Sequence, residues 1–388
     1  MRCLHVNLLS EQRYLKNYLG ERNSMKLAIY GAQGYALGAY KAIKTLYPGR
    51  EISCFLVTRI DGNPSVLGGI PVKTAAAYAE ELSREEKRQV EILIATPDQV
   101  QPDIEEVLEN FGFRQHRRLT FARWTEMMKL FHARLGRFLP LSALPVGCHM
   151  PFIRMYMAKS HVDKPLRSSV SLPEYVIPLQ AGADCCDVRV ADLADNTGEH
   201  ISWKNGNYCE LTALYWMWKN KLMAVGSEDG EEGQYFGLCQ YRRGFDFSED
   251  DLLRLTDNDA DVVLPYPLPY EPDIHAHHER YIKERDWKAM LQALKELQPE
   301  YAKALPEILG QQYLYNYNVV LAKKKVLRDY CNWLFPILLR TEELSIPKGC
   351  ERNDRYIGYM GETLETLYFM KNADRLTIVH TGCRMSMV

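Results

Sequence analysis

The sequence predicts an α/β protein of two domains, a small parallel-sheet domain followed by a larger mixed one. Three observations carry this. Short apolar runs alternate with amphipathic stretches between residues 25 and 111, and a connector then holds Pro140, Pro145 and Pro151. From Phe152 onward a second series of strand-like and helix-like segments begins. At 388 residues the chain is long enough to build a core in each part.

Residues 1–24 are polar and charged and are read as an N-terminal extension, with the first domain over 25–135 and the second over 150–388. In the first domain Met25 to Tyr30 and Glu51 to Val57 read as strands, Thr74 to Glu86 as a helix, Val90 to Thr96 as a strand and Pro102 to Phe111 as a helix. This alternation predicts a Rossmann-like sheet with flanking helices. Gly31, Gly34 and Gly38 lie between the first strand and a helical stretch through Leu46. A glycine turn there admits phosphate at the helix N-terminus. The spacing is GxxGxxxG rather than GxGxxG, so a tight turn that binds nothing is an equal reading.

In the second domain strands are expected at Phe152 to Ala158, Tyr175 to Pro178, Gly233 to Gln240 and Asp261 to Pro265. Helices are expected at Asn207 to Leu222, Trp287 to Gln298, Tyr301 to Leu309, Lys323 to Arg340 and Glu362 to Met370. Asn207 and Glu210 match a capping box, and Leu211, Leu214, Tyr215, Trp218 and Leu222 form an apolar stripe that suits a core. Glu210 is therefore ambiguous between cap and catalyst. Lys204 and Asn205 precede this helix, where a lysine and free N–H groups suit a diphosphate.

Gln240, Tyr241, Arg242 and Arg243 stand at the C-terminal edge of a strand, where open α/β sheets place ligands. Two adjacent arginines on a continuing strand point to opposite faces, one toward a site and one toward the scaffold. With the 24 tyrosines of the chain, the block from His200 to Phe245 suits a sugar nucleotide. Asp257-x-Asp259-x-Asp261 is a DxD candidate for Mg²⁺ or Mn²⁺, against the commoner reading of an acidic turn. His275, His277 and His278 lack partner ligands at metal spacing and read as a loop, either at an acceptor sugar or plainly on the surface.

A formal charge of −2 gives no reason to expect nucleic acid. The ten cysteines are scattered, without CxxC, which fits free thiols. With no signal peptide or membrane-span pattern, a cytoplasmic location is expected.

The blocks Asp195 to Gly198, Ile201 to Asn205, Tyr208 to Asn220 and Gly237 to Arg243 resemble one bacterial family from capsular and exopolysaccharide gene clusters. That family was long catalogued as a domain of unknown function and is treated as glycosyltransferases, some resembling galactofuranosyltransferases that use UDP-galactofuranose. The likeness continues through Tyr315 to Asn318, Tyr330 to Phe335 and Arg355 to Glu362. It implies a GT-A-like second domain and hexose transfer from a nucleotide sugar to a growing or lipid-linked glycan. Peripheral association with membrane-bound assembly enzymes at the inner face of the membrane goes with such an acceptor.

On this reading Lys204, Asn205, Gln240, Tyr241, Arg242, Arg243, Asn318 and Arg355 bind the donor. Glu362 leads as catalytic base, ahead of Asp195 and Glu210. The family usually has His-Tyr-Arg-Arg where this chain has Gln240 to Arg243, and glutamine cannot take up a proton near neutral pH. That departure keeps a non-catalytic sugar-nucleotide or glycan-binding protein as the alternative. An NAD(P)-dependent oxidoreductase built on the Gly31–Gly38 turn ranks behind it.

Overall fold

The computed structural model describes residues 25–166, 171–223, 233–348 and 352–385. The N-terminal extension read at 1–24 lies outside them. The chain forms two compact units, divided in sequence between Ala143 and Leu144, with Leu268–Glu271 belonging to the first.

In the first unit, strands β1 (Lys26–Tyr30), β2 (Ile52–Val57), β3 (Val66–Leu67), β4 (Ile70–Thr74), β5 (Val90–Ile94) and β6 (Gln115–Arg118) make one sheet in the order β3-β4-β2-β1-β5-β6. All neighbours are parallel except β3 with β4. The apolar runs became the buried central strands, because a strand covered on both faces is apolar throughout. The short β3, β4 and β6 carry no such run and were missed.

The helix expected over Thr74 to Glu86 is two helices, α1 being Gly34–Leu46, α2 Ala75–Glu81 and α3 Arg84–Gln89. Ser83 starts α3: its hydroxyl accepts from Glu86 N, and the Glu86 carboxylate accepts from Ser83 N. The remaining helices are α4 (Gln101–Asn110) and α5 (Phe121–Leu135), which ends on left-handed Gly136.

Packing accounts for the glycine turn. Gly31 has φ +124°, and a Cβ there would sit 2.7 Å from the Ala95 carbonyl oxygen. A Cβ on Gly34 would lie 3.1 Å from Leu268 Cβ and 3.3 Å from the Pro269 carbonyl oxygen. Gly38 faces Met128 and Trp124 at ordinary contact distance. Close approach of chain to chain thus accounts for Gly31 and Gly34 without a phosphate, while Gly38 has room for a side chain.

The second unit is built on β7 (Phe152–Lys159), β8 (Val176–Gln180), β9 (Leu193–Ala194), β10 (Gln234–Gln240), β11 (Arg243–Phe245), β12 (Val262–Pro265), β13 (Val320–Lys323) and β14 (Ile378–Thr381). The sheet runs β14-β12-β13-β10-β7-β8-β9, with β11 paired to β10. Strands β10, β7, β8 and β9 are mutually parallel, while β13 runs antiparallel between β10 and β12.

Helices α6 (Asn205–Tyr208), α7 (Leu211–Met217), α8 (Glu249–Asp257), α9 (Ile274–His278), α10 (Glu284–Leu297), α11 (Pro299–Leu309), α12 (Lys324–Leu344) and α13 (Tyr356–Lys371) complete the unit. The aromatic stripe is core: Trp216 packs edge-on to Tyr156, and Trp218 stacks on Phe335 at 5.2 Å. Their indole nitrogens donate to Thr197 and Asn332. Lys219 and Asn220 bind Glu199 and close the same scaffold. No helix among the described residues is long and apolar enough to cross a membrane.

Candidate functional site

Parallel β7, β8 and β10 end together at Lys159, Gln180 and Gln240. Backbone bonds from Tyr241 N to Ala158 O and from Ala181 N to Lys159 O tie these ends to one another. A cavity of about 420 Å³ opens at this edge, within the size range of small-molecule sites. Lys159, Lys164, Arg242 and Arg355 face it, against the two carboxylates Asp163 and Glu210. The cavity is thus cationic on balance and suits an anionic ligand.

Local backbone geometry sets the carboxylate in place. The capping box expected at Asn207 and Glu210 does not form, because the helix breaks at Cys209, which has φ +53°. Asn207 is buried and accepts from Ile357 N, and Glu210 makes no cap. Freed from that duty, Glu210 lines the cavity and accepts a hydrogen bond from Asn318 Nδ2 at 2.8 Å.

Six non-glycine residues among those described have positive φ, and four of them, Cys209, Tyr317, Asn318 and Arg355, belong to the segments that bond or adjoin Glu210 and Glu362. Tyr317 N donates to Glu362, and Arg355 Nε donates to Cys209 Sγ. Such conformations cost of order 1–3 kcal/mol each and persist only where the surrounding structure holds them.

Burial pushes the Glu210 carboxyl up, with the amides of Asn318 and Gln240 partly offsetting it. Glu362 is pushed up to about 8, first by burial and then by the charge of Glu210. Glu365, one helical turn further along α13, is held well above the carboxylate range by burial and by both other glutamates. Its two oxygens have no hydrogen-bond partner among the described residues. The three therefore form a coupled acidic column with its outer end, Glu210, in the cavity.

The other sequence candidates are divided by their surroundings. Arg242 lines the cavity, whereas Arg243 donates to Gln240 Oε1 at 2.8 Å and stacks on Tyr317. Gln240 also donates to the Tyr317 carbonyl, so its amide bridges β10 to the strained Tyr317–Asn318 turn. Tyr241 and Asn205 line the cavity too. Arg355 does so from the N-terminal edge of α13.

Several expectations need correction. Asp195 is fully buried, and its carboxylate accepts from Gly182 N, Ala183 N and the Ser202 hydroxyl, so it holds a loop rather than facing a ligand. Lys204 is drawn inward to Glu342 at 2.5 Å, where Tyr208 also donates, and it does not reach the cavity. Glu362 sits in the second turn of α13 behind the cavity wall instead of opening a helix. Asp259 and Asp261 both pair with Lys323, Asp257 binds Cys148 N and His149, and none of the three carboxylates lines the cavity. His278 is buried against Trp287 and bonded to Thr363, and burial lowers His277 to about 4 and His278 to about 3. His277 and His278 thus belong to the scaffold of α9.

Lys204→Met is accordingly expected to cost about 3 kcal/mol of stability, since it strands the Glu342 carboxylate. A urea midpoint would read that loss, while ligand affinity of the cavity should stay unchanged.

Sequence reasoning missed Lys159, Asp163, Lys164 and Asn353. The first three follow a correctly read strand, so the strand-end rule that singled out Gln240 to Arg243 applies to them equally.

Residues 160–373 match the family described as a domain of unknown function, DUF4422. The chain belongs to the DUF4422 family. The matched region contains almost all of the cavity lining. Among solved structures, the DUF4422 chain is similar to the apo structure of WbbM, a bifunctional glycosyltransferase, at 24% identity and a TM-score of 0.50. The likeness covers 60% of this chain and 45% of that one, so the chain spans less than half of the WbbM chain. It supports a glycosyltransferase-like α/β fold. No curated protein matches this chain.

Proposed function

We propose that this DUF4422 protein is a glycosyltransferase that moves a hexose from a nucleotide-sugar donor to a glycan or lipid-linked acceptor. The observation that carries the reading is a carboxylate and two arginines facing one cavity at the C-terminal ends of three parallel strands. Arg242 and Arg355 oppose the diphosphate charge, since guanidinium groups grip phosphate oxygens in two places. Glu210 takes the acceptor hydroxyl proton as that oxygen bonds to the anomeric carbon and the bond to the diphosphate breaks. The nucleoside diphosphate leaves with its negative charge compensated by the cationic wall. Glu210 thereby replaces Glu362 as the leading base, because it alone of the three glutamates lines the cavity.

The fold likeness to a glycosyltransferase agrees with this reading. UDP-hexoses, with UDP-galactofuranose first among them, are the donors we propose, and the acceptor class places the work at the cytoplasmic face of a membrane. The test is a panel of UDP-sugars, followed by release of UDP with and without oligosaccharide acceptors. Turnover with at least one donor is expected. Binding without any turnover would favour the sugar-nucleotide-binding reading that Gln240 keeps open.

Arg242→Ala is expected to raise the donor KM about 10–100-fold, as the loss of a charge-assisted contact of roughly 1.5–3 kcal/mol. Arg243→Ala should instead perturb stability, since its guanidinium lies on Tyr317 and Gln240. Equal donor KM values for wild type and Arg242→Ala would exclude the diphosphate role.

A further inference from the structure

We propose that Cys148, His149 and Asp257 form a surface site for a zinc-class divalent transition-metal ion, with one coordination position open to water. The three ligand atoms all lie within 4.8 Å of one another, and all three residues are exposed. Thiolate, imidazole and carboxylate are the ligand types such ions prefer, and three protein ligands plus water is a common zinc arrangement.

The spacing suits the ion. With ordinary zinc bond lengths and tetrahedral angles, a sulfur and a nitrogen ligand stand about 3.5 Å apart, and a nitrogen and an oxygen about 3.4 Å. Cys148 Sγ lies 3.5 Å from His149 Nδ1 already. His149 Nδ1 lies 2.7 Å from Asp257 Oδ1, the length of a hydrogen bond that the ion would replace. Opening that pair by about 0.7 Å is a side-chain adjustment. On binding, the thiol proton leaves to solvent, and Nδ1 presents its lone pair with the ring proton on Nε2.

The site is also built in advance. Arg254 Nε donates to Leu144 O at 3.0 Å, Asn258 Nδ2 to Pro145 O at 2.9 Å and Cys148 N to Asp257 Oδ2 at 2.6 Å. These bonds lay residues 144–149 along the end of α8. Gly147 permits the approach: a Cβ there would stand 2.4 Å from Asp257 Oδ2 and 2.5 Å from Leu253 O.

The test uses the full chain, freed of metal and kept reduced with a non-thiol reductant, and titrated with Co²⁺. One equivalent should produce thiolate-to-metal charge-transfer absorption and tetrahedral d–d bands, both removed by added Zn²⁺. Cys148→Ser should abolish the charge-transfer band, and His149→Ala or Asp257→Asn should weaken Zn²⁺ binding at least about tenfold, each removing one of three ligands. Cys185→Ser, at an exposed thiol outside this cluster, should change nothing. Because Cys148 and His149 are exposed, thermal melts without metal should match wild type in their variants. Absence of the band, its persistence in Cys148→Ser, or its loss in Cys185→Ser would overturn the assignment.

Discussion

Replacing Glu210 by Gln is expected to lower the rate of sugar transfer by about 10²–10⁴-fold, the usual contribution of a positioned general base. Donor binding and fold should survive. Glutamine keeps the shape and the Oε1 that accepts from Asn318 Nδ2, so the Asn318 turn retains its partner. What disappears is the ability to take the acceptor proton. The loss should therefore fall on kcat, with donor KM little changed, because a group acting on the reacting proton contributes in the transition state. Near-normal kcat in Glu210→Gln would remove this residue from the mechanism. Glu362→Gln, measured beside it, then tests a base behind the wall, and Asp163→Asn tests the other carboxylate of the cavity.

The second large effect is on stability against pH. Glu362 has a folded value of about 8, raised from an ordinary carboxyl value of 4.5. Its folded state therefore binds a proton that the unfolded chain has released across that interval. The stability this proton contributes is fully present below the unfolded value and is lost as pH rises through 8. The slope approaches about 1.4 kcal/mol per pH unit for one proton. Glu365 acts in the same direction, since burial raises it as well.

Denaturant midpoints at several pH values between 5 and about 8 should fall with rising pH. Glu362→Gln, neutral at every pH, should show a shallower fall. The difference between the two curves reports Glu362 together with its coupling to Glu365. Parallel curves would show that Glu362 does not hold a proton in the fold. The same coupling bears on function: a protonated Glu362 places no second negative charge beside Glu210.

Legible in the sequence were the alternation that makes both units α/β, the strands found at β1, β2, β5, β7, β8, β10 and β12, and the core duty of the aromatic stripe. Each is a local pattern, legible because backbone geometry repeats every two or 3.6 residues. It also marked Gln240 to Arg243 as a strand-end block. Only the tertiary structure decided which charges meet the cavity.

Lys204 looked like a phosphate ligand until Glu342, far along the chain, took its ammonium, and Asp195 looked like a base until three donors enclosed it. Glu210 looked like a helix cap until Cys209 turned left-handed and released it. In each case the deciding partner or backbone turn carries no periodic signal. A buried charge goes to whichever opposite charge or donor the fold brings within reach, and the chain order does not encode that distance.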